Sequence, residues 1–148
     1  EGAETLMGGG RPDRPELGNG WFVEPTIFGG VRNDMRIAQE EVFGPVLSVI
    51  PFDSADEALS IANDSSYGLA AGVWTQDIRK IKHFSERLQA GTIWANTYRV
   101  ISYMTPLGGY KNSGLGRENG QNAIYQYLQT KSIMISTASA VANPFIMR

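Results

Sequence analysis

The sequence predicts an α/β fold built on a parallel sheet with helical crossovers. Three observations carry that expectation. Short apolar runs at residues 46–50, 70–74 and 92–95 have the length and composition of buried strands. Helix-start signals stand between them, at Ser54 and at Asp77. The connections are short, and strand–helix alternation of this kind implies parallel pairing through crossovers.

Taken in order, residues 7–19 are rich in glycine, proline and charge and read as a hairpin or surface loop. Trp21-Phe22-Val23-Glu24-Pro25-Thr26-Ile27-Phe28 has β-forming composition. Pro25 cannot donate to a ladder, so this is expected to be an edge or irregular strand. Residues 31–44 are polar and lead into a Phe43-Gly44-Pro45 turn. Val46-Leu47-Ser48-Val49-Ile50 suits a buried strand. Ser54 followed by Glu57 makes a capping box, opening a helix through Ala58, Leu59 and Ala62. Residues 63–68 stop that helix, and Ala70-Ala71-Gly72-Val73-Trp74 reads as the next strand. Asp77 caps a second helix whose apolar face is Ile78, Ile81, Phe84 and Leu88. Gly91 ends it before the strand Thr92-Ile93-Trp94-Ala95.

A long loop, residues 96–119, follows that strand. Ligands in parallel α/β sheets collect at the carboxyl ends of strands, so a site is expected there. A last helix carries Ala123, Ile124, Tyr127 and Leu128 on one face. Residues 131–136 alternate as a strand, with Ile133 and Ile135 on one side and Ser132, Met134 and Ser136 on the other. Such a strand either seals a sheet or adds itself to a partner's edge. The apolar tail, residues 141–147, favours a contact role. Trp21, Trp74 and Trp94 fall in predicted strands and read as core. His83, the only histidine, lies among charged residues on the helix expected over 77–89 and reads as surface.

Composition narrows the function classes. At 148 residues the chain has the size of one domain, long enough to bury a core. Its 13 Lys+Arg against 15 Asp+Glu include no basic run, which argues against a nucleic-acid groove. No apolar stretch approaches the roughly 20 residues that span a bilayer. The start, Glu1-Gly2-Ala3-Glu4, lacks an initiator methionine, a basic segment and an apolar run, so no secretion signal is expected and the cytoplasm is the default compartment. The absence of cysteine excludes disulfides and thiolate metal sites.

Two motifs could carry chemistry. A carboxylate such as Glu41 can accept hydrogen bonds from vicinal ribose hydroxyls, and an aromatic such as Phe43 can press on a flat ring. In an extended segment these i, i+2 residues would point to the same side. On the residues alone, Glu40-Glu41 reads equally as a solvated pair and Phe43-Gly44-Pro45 as a turn with an anchoring ring. The run Gly114-Leu115-Gly116-Arg117-Glu118-Asn119-Gly120 mimics a dinucleotide fingerprint, but no strand leads directly into it, so it reads as backbone turns.

Glu40-Glu41-Val42-Phe43-Gly44-Pro45, with Gly108-Gly109-Tyr110-Lys111-Asn112-Ser113-Gly114-Leu115-Gly116-Arg117-Glu118 further on, resembles two motifs of the aldehyde dehydrogenases in their order. The second stretch is especially similar to betaine-aldehyde dehydrogenases, and the similarity runs from about Gly8 to Ser136. The resemblance implies that Glu41 holds a nicotinamide ribose and Phe43 packs by the ring, with NAD favoured over NADP. It places Ile101 and Leu107 in a substrate funnel often lined by aromatics; Tyr103 could supply the missing aromatic wall. Asn96 looks like a residue supporting the active-site floor, or else an ordinary strand-end hydrogen bonder. Glu118 is similar to a glutamate with a supporting charge-relay role; its alternatives are a partner for Arg117 or a cap for the last helix. The backbone carbonyls of Lys111 and Gly114 correspond to ligands of a potassium ion between subunits.

The family's chemistry runs through a cysteine thiolate that forms a thiohemiacetal, and water activated by a glutamate then releases the acid. Both groups belong to a region preceding the first motif. The expectation is therefore the C-terminal part of an NAD(P)+-dependent aldehyde dehydrogenase: residues 1–130 from its catalytic domain, residues 131–148 an oligomerisation strand and tail. Alone it would be inactive. Its expected partners are a small-molecule aldehyde, the missing N-terminal cofactor domain, and copies of itself in a dimer or tetramer. The alternative is a non-catalytic oligomerisation or interaction module. A chain parted from its cofactor domain is expected to expose apolar surface.

Overall fold

The computed structural model describes residues 1–139 together with Asn143 and Phe145. The expected tail, residues 141–147, otherwise lies outside the described residues. No helix among the described residues is long and apolar enough to cross a membrane.

The described residues form a mixed α/β structure in three small sheets. In the first, β1 (Glu4–Met7) pairs antiparallel with β2 (Thr26–Gly29), and β2 pairs parallel with β3 (Val46–Ser48). In the second, β5 (Ala70–Val73) and β6 (Thr92–Ala95) run parallel in the register Ala70↔Thr92 to Val73↔Ala95. The third is a two-residue antiparallel contact between β4 (Tyr67–Gly68) and β7 (Tyr110–Lys111). A short helix α1 (Arg36–Gln39) precedes β3, α2 (Ala55–Asn63) links β3 to β4, and α3 (Ile78–Arg87) links β5 to β6.

Both helix starts follow the sequence. Ser54 Oγ accepts from Glu57 N at 3.1 Å, while Glu57 Oε2 accepts from Asp53 N at 2.7 Å, one residue earlier than in a standard box. Asp77 Oδ1 accepts from Arg79 N at 2.9 Å. The crossover through α3 gives the expected parallel pair. The one through α2 does not, because β3 pairs with β2 and β5 with β6, and β3 and β5 share no ladder. Strand–helix–strand order encodes direction but not adjacency. The inner positions of α2 and β5 (Ala55, Ala58, Ala62, Ala71, Gly72) are too small to fill the space between them. A hollow of about 480 Å³ remains, with Phe52, Trp74 and Phe84 also on its lining.

Several other expectations are corrected. The strand expected around Pro25 starts after it, at Thr26, and lies in the middle of its sheet rather than at the edge. Pro25 therefore takes no ladder position, and Thr26 N donates to Pro45 O at 2.8 Å. The last helix is a 3-10 helix, Gln121–Tyr127, and its apolar face is not buried: Ile124, Tyr127 and Leu128 are exposed. Residues 131–136 form no ladder among the described residues, and Ile133, Met134 and Ile135 are exposed. Trp21 and Trp74 lie outside the strands and are exposed, while Trp94 is half-buried, its Nε1 donating to Val100 O at 2.8 Å. His83 is half-buried, its Nε2 3.2 Å from Asp56 Oδ1 on α2 without hydrogen-bond alignment.

The expected core is nearly absent: among the described residues the buried hydrophobic side chains are Val31 and Met35. Accessible surface is 12396 Å², against about 7,400 Å² for a compact monomer of this mass. The exposed apolar surface expected of the chain is present.

Candidate functional site

The site is built from the segment after α1, the turn after α2 and the loop after β6. They line one cleft of about 460 Å³: Gln39, Glu40 and Glu41 on one side, Asn63, Ser65 and Tyr67 on the other, with Ser113 from the glycine-rich loop.

The two adjacent carboxylates are in different chemical situations. Glu40 is taken by Arg36 one helical turn back, in a two-point contact with Nε–Oε1 and Nη2–Oε2 both at 2.9 Å. The guanidinium's hydrogen bond, then its charge, holds the Glu40 carboxyl below the usual carboxylate range. Glu41 lines the cleft and has no hydrogen-bonding or ion-pair partner among the described residues. It is the carboxylate available to a ligand. The four-residue spacing of Arg36 and Glu40 is the sequence signal that separates them.

Phe43 is not in that cleft. Hydrogen bonds from Gly44 N to Val42 O and from Val46 N to Gly44 O, both 2.9 Å, fold this stretch into successive tight turns instead of an extended segment. The Phe43 ring stands 94% exposed.

A second cleft of about 440 Å³ lies along β6 and the loop beyond it. Ile101 and Leu107 both line it, with Ile93, Trp94, Val100 and Thr105. Tyr103 does not; its ring is exposed, and its carbonyl accepts from Gly120 N at 2.9 Å. A smaller hollow of about 300 Å³ shares Leu69 and Ser113 with the first cleft and Leu107 with the second, and Glu118 is on its wall. Glu41 and Ser113 thus share one cavity lining, Ser113, Glu118 and Leu107 a second, and Leu107 and Ile101 a third.

Leu107 and Glu118 exchange backbone hydrogen bonds, Leu107 N to Glu118 O at 2.8 Å and Glu118 N to Leu107 O at 2.7 Å, closing the glycine-rich loop. Glu118 neither pairs with Arg117 nor caps the last helix. Arg117 Nη1 donates to the Gly109 and Gly116 carbonyls at 2.9 and 2.6 Å and lies over the Tyr110 ring, and that helix starts at Gly120 with no side-chain cap. Asn96, the residue after β6, bonds Thr75, two residues beyond the end of β5.

Lys111 lies within a turn closed by Ser113 N to Tyr110 O at 3.1 Å and Gly114 directly follows it; both have positive φ, 51° and 128°. Two carbonyls fall short of the six to eight oxygens a large hard cation takes. Among the described residues no group of three or more His, Cys, Asp or Glu could hold a metal ion. Sequence reasoning missed the side chains of Gln39, Asn63 and Lys111. The Lys111 ammonium reaches the Asn63 backbone carbonyl across 48 positions, with no local signal to announce it.

The family model described as aldehyde dehydrogenase family matches residues 1–133. The chain is 48% identical over 145 residues to a betaine aldehyde dehydrogenase of Bacillus subtilis (strain 168), covering 98% of this chain and 30% of that protein. It is also 48% identical to a long-chain-aldehyde dehydrogenase of an Acinetobacter species, covering 98% of this chain and 28% of that one. Among solved structures, it is similar to betaine aldehyde dehydrogenase from Staphylococcus aureus in complex with NAD+, with a TM-score of 0.92, 44% identity, and coverage of 99% of this chain and 29% of that one. The chain therefore spans about 30% of the length of the curated relatives it matches.

Proposed function

This chain belongs to the aldehyde dehydrogenase family, and on that premise we propose that it supplies the nicotinamide-ribose contact and one substrate wall of an enzyme that oxidises an aldehyde to a carboxylic acid with NAD(P)+. The observation that carries this is the pair of neighbouring glutamates. Arg36 occupies Glu40, leaving Glu41 as an unpartnered carboxylate on a cleft. A carboxylate with both oxygens free suits two vicinal hydroxyls, so the residues present fit the dinucleotide. The cofactor's own chemistry is hydride acceptance. Phe43, on its exposed turn, is offered to the ring, and Ile101 and Leu107 form an apolar wall for the aldehyde, with Tyr103 exposed on the same loop.

Glu118, on the hollow between the clefts, is a supporting relay residue in this reading, and Asn96 steadies the end of β6. The Lys111 and Gly114 carbonyls contribute part of a potassium site completed by water or a neighbouring copy. The nucleophilic cysteine that forms the thiohemiacetal, and the glutamate that activates water, come from polypeptide outside these 148 residues; NAD is favoured over NADP. The isolated chain is inactive.

The test is NAD+ titration of the full-length polypeptide carrying this segment. Glu41→Gln removes an acceptor charge and weakens NAD+ binding about tenfold, the scale of a charge-assisted hydrogen bond. An unchanged dissociation constant overturns the assignment. Aldehyde-dependent NADH formation by the 148-residue chain alone overturns the missing-nucleophile reading.

A second reading, an assembly module, is favoured by one observation: surface some two-thirds larger than a compact monomer's, with Trp21, Phe43 and Leu115 almost wholly exposed. In the enzyme reading the same surface is covered by the cofactor domain and by copies of the chain in a dimer or tetramer.

A further inference from the structure

The turn after α2 is held from separate stretches of chain, and each of its carbonyls from Asn63 to Ser66 has a donor. Lys111 Nζ donates to Asn63 O at 2.6 Å and to Ser65 O at 2.9 Å. Asp64 O accepts from Gln39 Nε2 at 2.9 Å and from Asn33 Nδ2 at 3.2 Å. Ser66 O accepts from Asn112 N at 2.9 Å. On its other side the Asn63 side chain donates to Arg87 O at 2.9 Å and accepts from Gln89 N at 2.8 Å, fixing the turn to the end of α3.

These carbonyls lie where a helix ends. The last C=O groups of a helix have no partner within it and carry the negative end of its dipole, so an ammonium is suited there on grounds of both geometry and charge. Lys111 reaches them from a left-handed backbone conformation, φ 51°, which a residue with a Cβ adopts only at some cost. Two charge-assisted bonds offset that cost.

Gln39 is bonded to the same turn at Asp64 O and stands two residues before Glu41. Gln39, Glu41, Asn63, Ser65 and Ser113 all line the first cleft. A continuous path of hydrogen bonds and chain therefore runs from Lys111 through residues 63–65 to Gln39 and on to Glu41.

We propose that Lys111 is a positioning residue for Glu41: its ammonium locks the turn after α2, the turn locks Gln39, and the glycine-rich loop thereby sets how well the cleft carboxylate receives the ribose of a nicotinamide dinucleotide. This rests on the assignment of Glu41 given above. It differs from the potassium role of the same residue, which concerns its backbone carbonyl and not its side chain.

The experiment uses the full-length polypeptide with Lys111→Met, Lys111→Arg, Glu41→Gln and the Lys111→Met/Glu41→Gln double variant. NAD+ dissociation constants are read by calorimetry, and hydrogen exchange of amides 39–44 is read without cofactor. Lys111→Met is expected to weaken NAD+ about three- to tenfold, the range of one or two solvent-exposed charge-assisted bonds, and to speed exchange at 39–44. Lys111→Arg keeps a cation and recovers part of both. In the Glu41→Gln background, Lys111→Met is expected to weaken NAD+ no further, since both act through one carboxylate. If Lys111→Met does not fold, Lys111→Gln takes its place.

A lowered melting temperature with unchanged NAD+ affinity and unchanged exchange at 39–44 makes Lys111 a helix-end stabiliser only and overturns the proposal. Strict additivity of the two substitutions also overturns it. Should Glu41→Gln alone leave the affinity intact, the ribose assignment fails; exchange at 39–44 in Lys111→Met then still decides whether the link to that segment exists.

Discussion

Asn96 takes both backbone hydrogen-bonding groups of Thr75: Oδ1 accepts from Thr75 N, and Nδ2 donates to Thr75 O, each at 2.8 Å. A side-chain amide thus continues the β5–β6 ladder one step beyond its last backbone pair. Asn96 sits at φ 54°, a conformation asparagine tolerates better than most residues. Asn96→Ala loses both bonds and keeps the strained φ, so a loss of about 1–3 kcal/mol is expected in urea unfolding. Asn96→Gly loses the same bonds but relieves the backbone, and should cost less. Equal losses would show that φ contributes nothing.

Asp77 gives a pH signature. The Arg79 backbone N–H first, and its guanidinium second, hold the Asp77 carboxyl below its ordinary range. A folded-state value below the unfolded one adds stability that is full above the unfolded value and is lost as pH falls through the folded value. The loss should therefore begin near pH 4 and deepen below it. Asp77→Asn keeps a capping oxygen without the titration. Stability measured against pH should show wild type losing its advantage over Asp77→Asn in acid, and parallel curves would refute the assignment.

Ser54→Ala removes the oxygen that receives Glu57 N. The expected loss is about 1 kcal/mol in denaturant unfolding, recovered in large part by Ser54→Asp, which caps equally well. A neutral Ser54→Ala would mean that α2 is held by its C-terminal junction alone.

Gly91 lies between α3 and β6, where a Cβ would overlap the carbonyl oxygen of Gly108. The obstruction is backbone and cannot rotate away. Gly91→Ala should therefore cost roughly 1–3 kcal/mol as the loop shifts, the usual range for overpacking, and should quicken hydrogen exchange at residues 107–109. Unchanged exchange there would show that the loop does not dock on Gly91.

The exposed apolar side chains predict the behaviour of the 148-residue chain in isolation. With only Val31 and Met35 buried among its described hydrophobic residues, it should bind a hydrophobic dye strongly and self-associate with concentration in light scattering. A dye-silent monomer would contradict the surface described here.

Local chemistry made much of this legible in the sequence. The caps at Ser54 and Asp77 form as their side chains imply, and β6 spans the four residues that its composition marks. The gap between β3 and β5 was not legible, because alternation says nothing about which strands touch. The β4–β7 contact was not legible either, since it joins two-residue segments far apart in sequence through a lysine in a left-handed conformation. The apolar faces of the last helix and of residues 131–136 were readable as patterns, but a pattern does not say whether its covering surface lies within the same 148 residues. At the site, Glu41 could be singled out by motif; that Glu40 is already engaged depends on Arg36.

The paired Leu107–Glu118 bonds pin both stems of the glycine-rich loop, while Leu115 at its tip is wholly exposed. Widening a flexible loop whose ends are fixed costs only about 0.6 kcal/mol for each doubling of its length. An epitope spliced between Gly114 and Leu115 should thus cost the fold little while opening the wall of the smaller hollow, which both residues line.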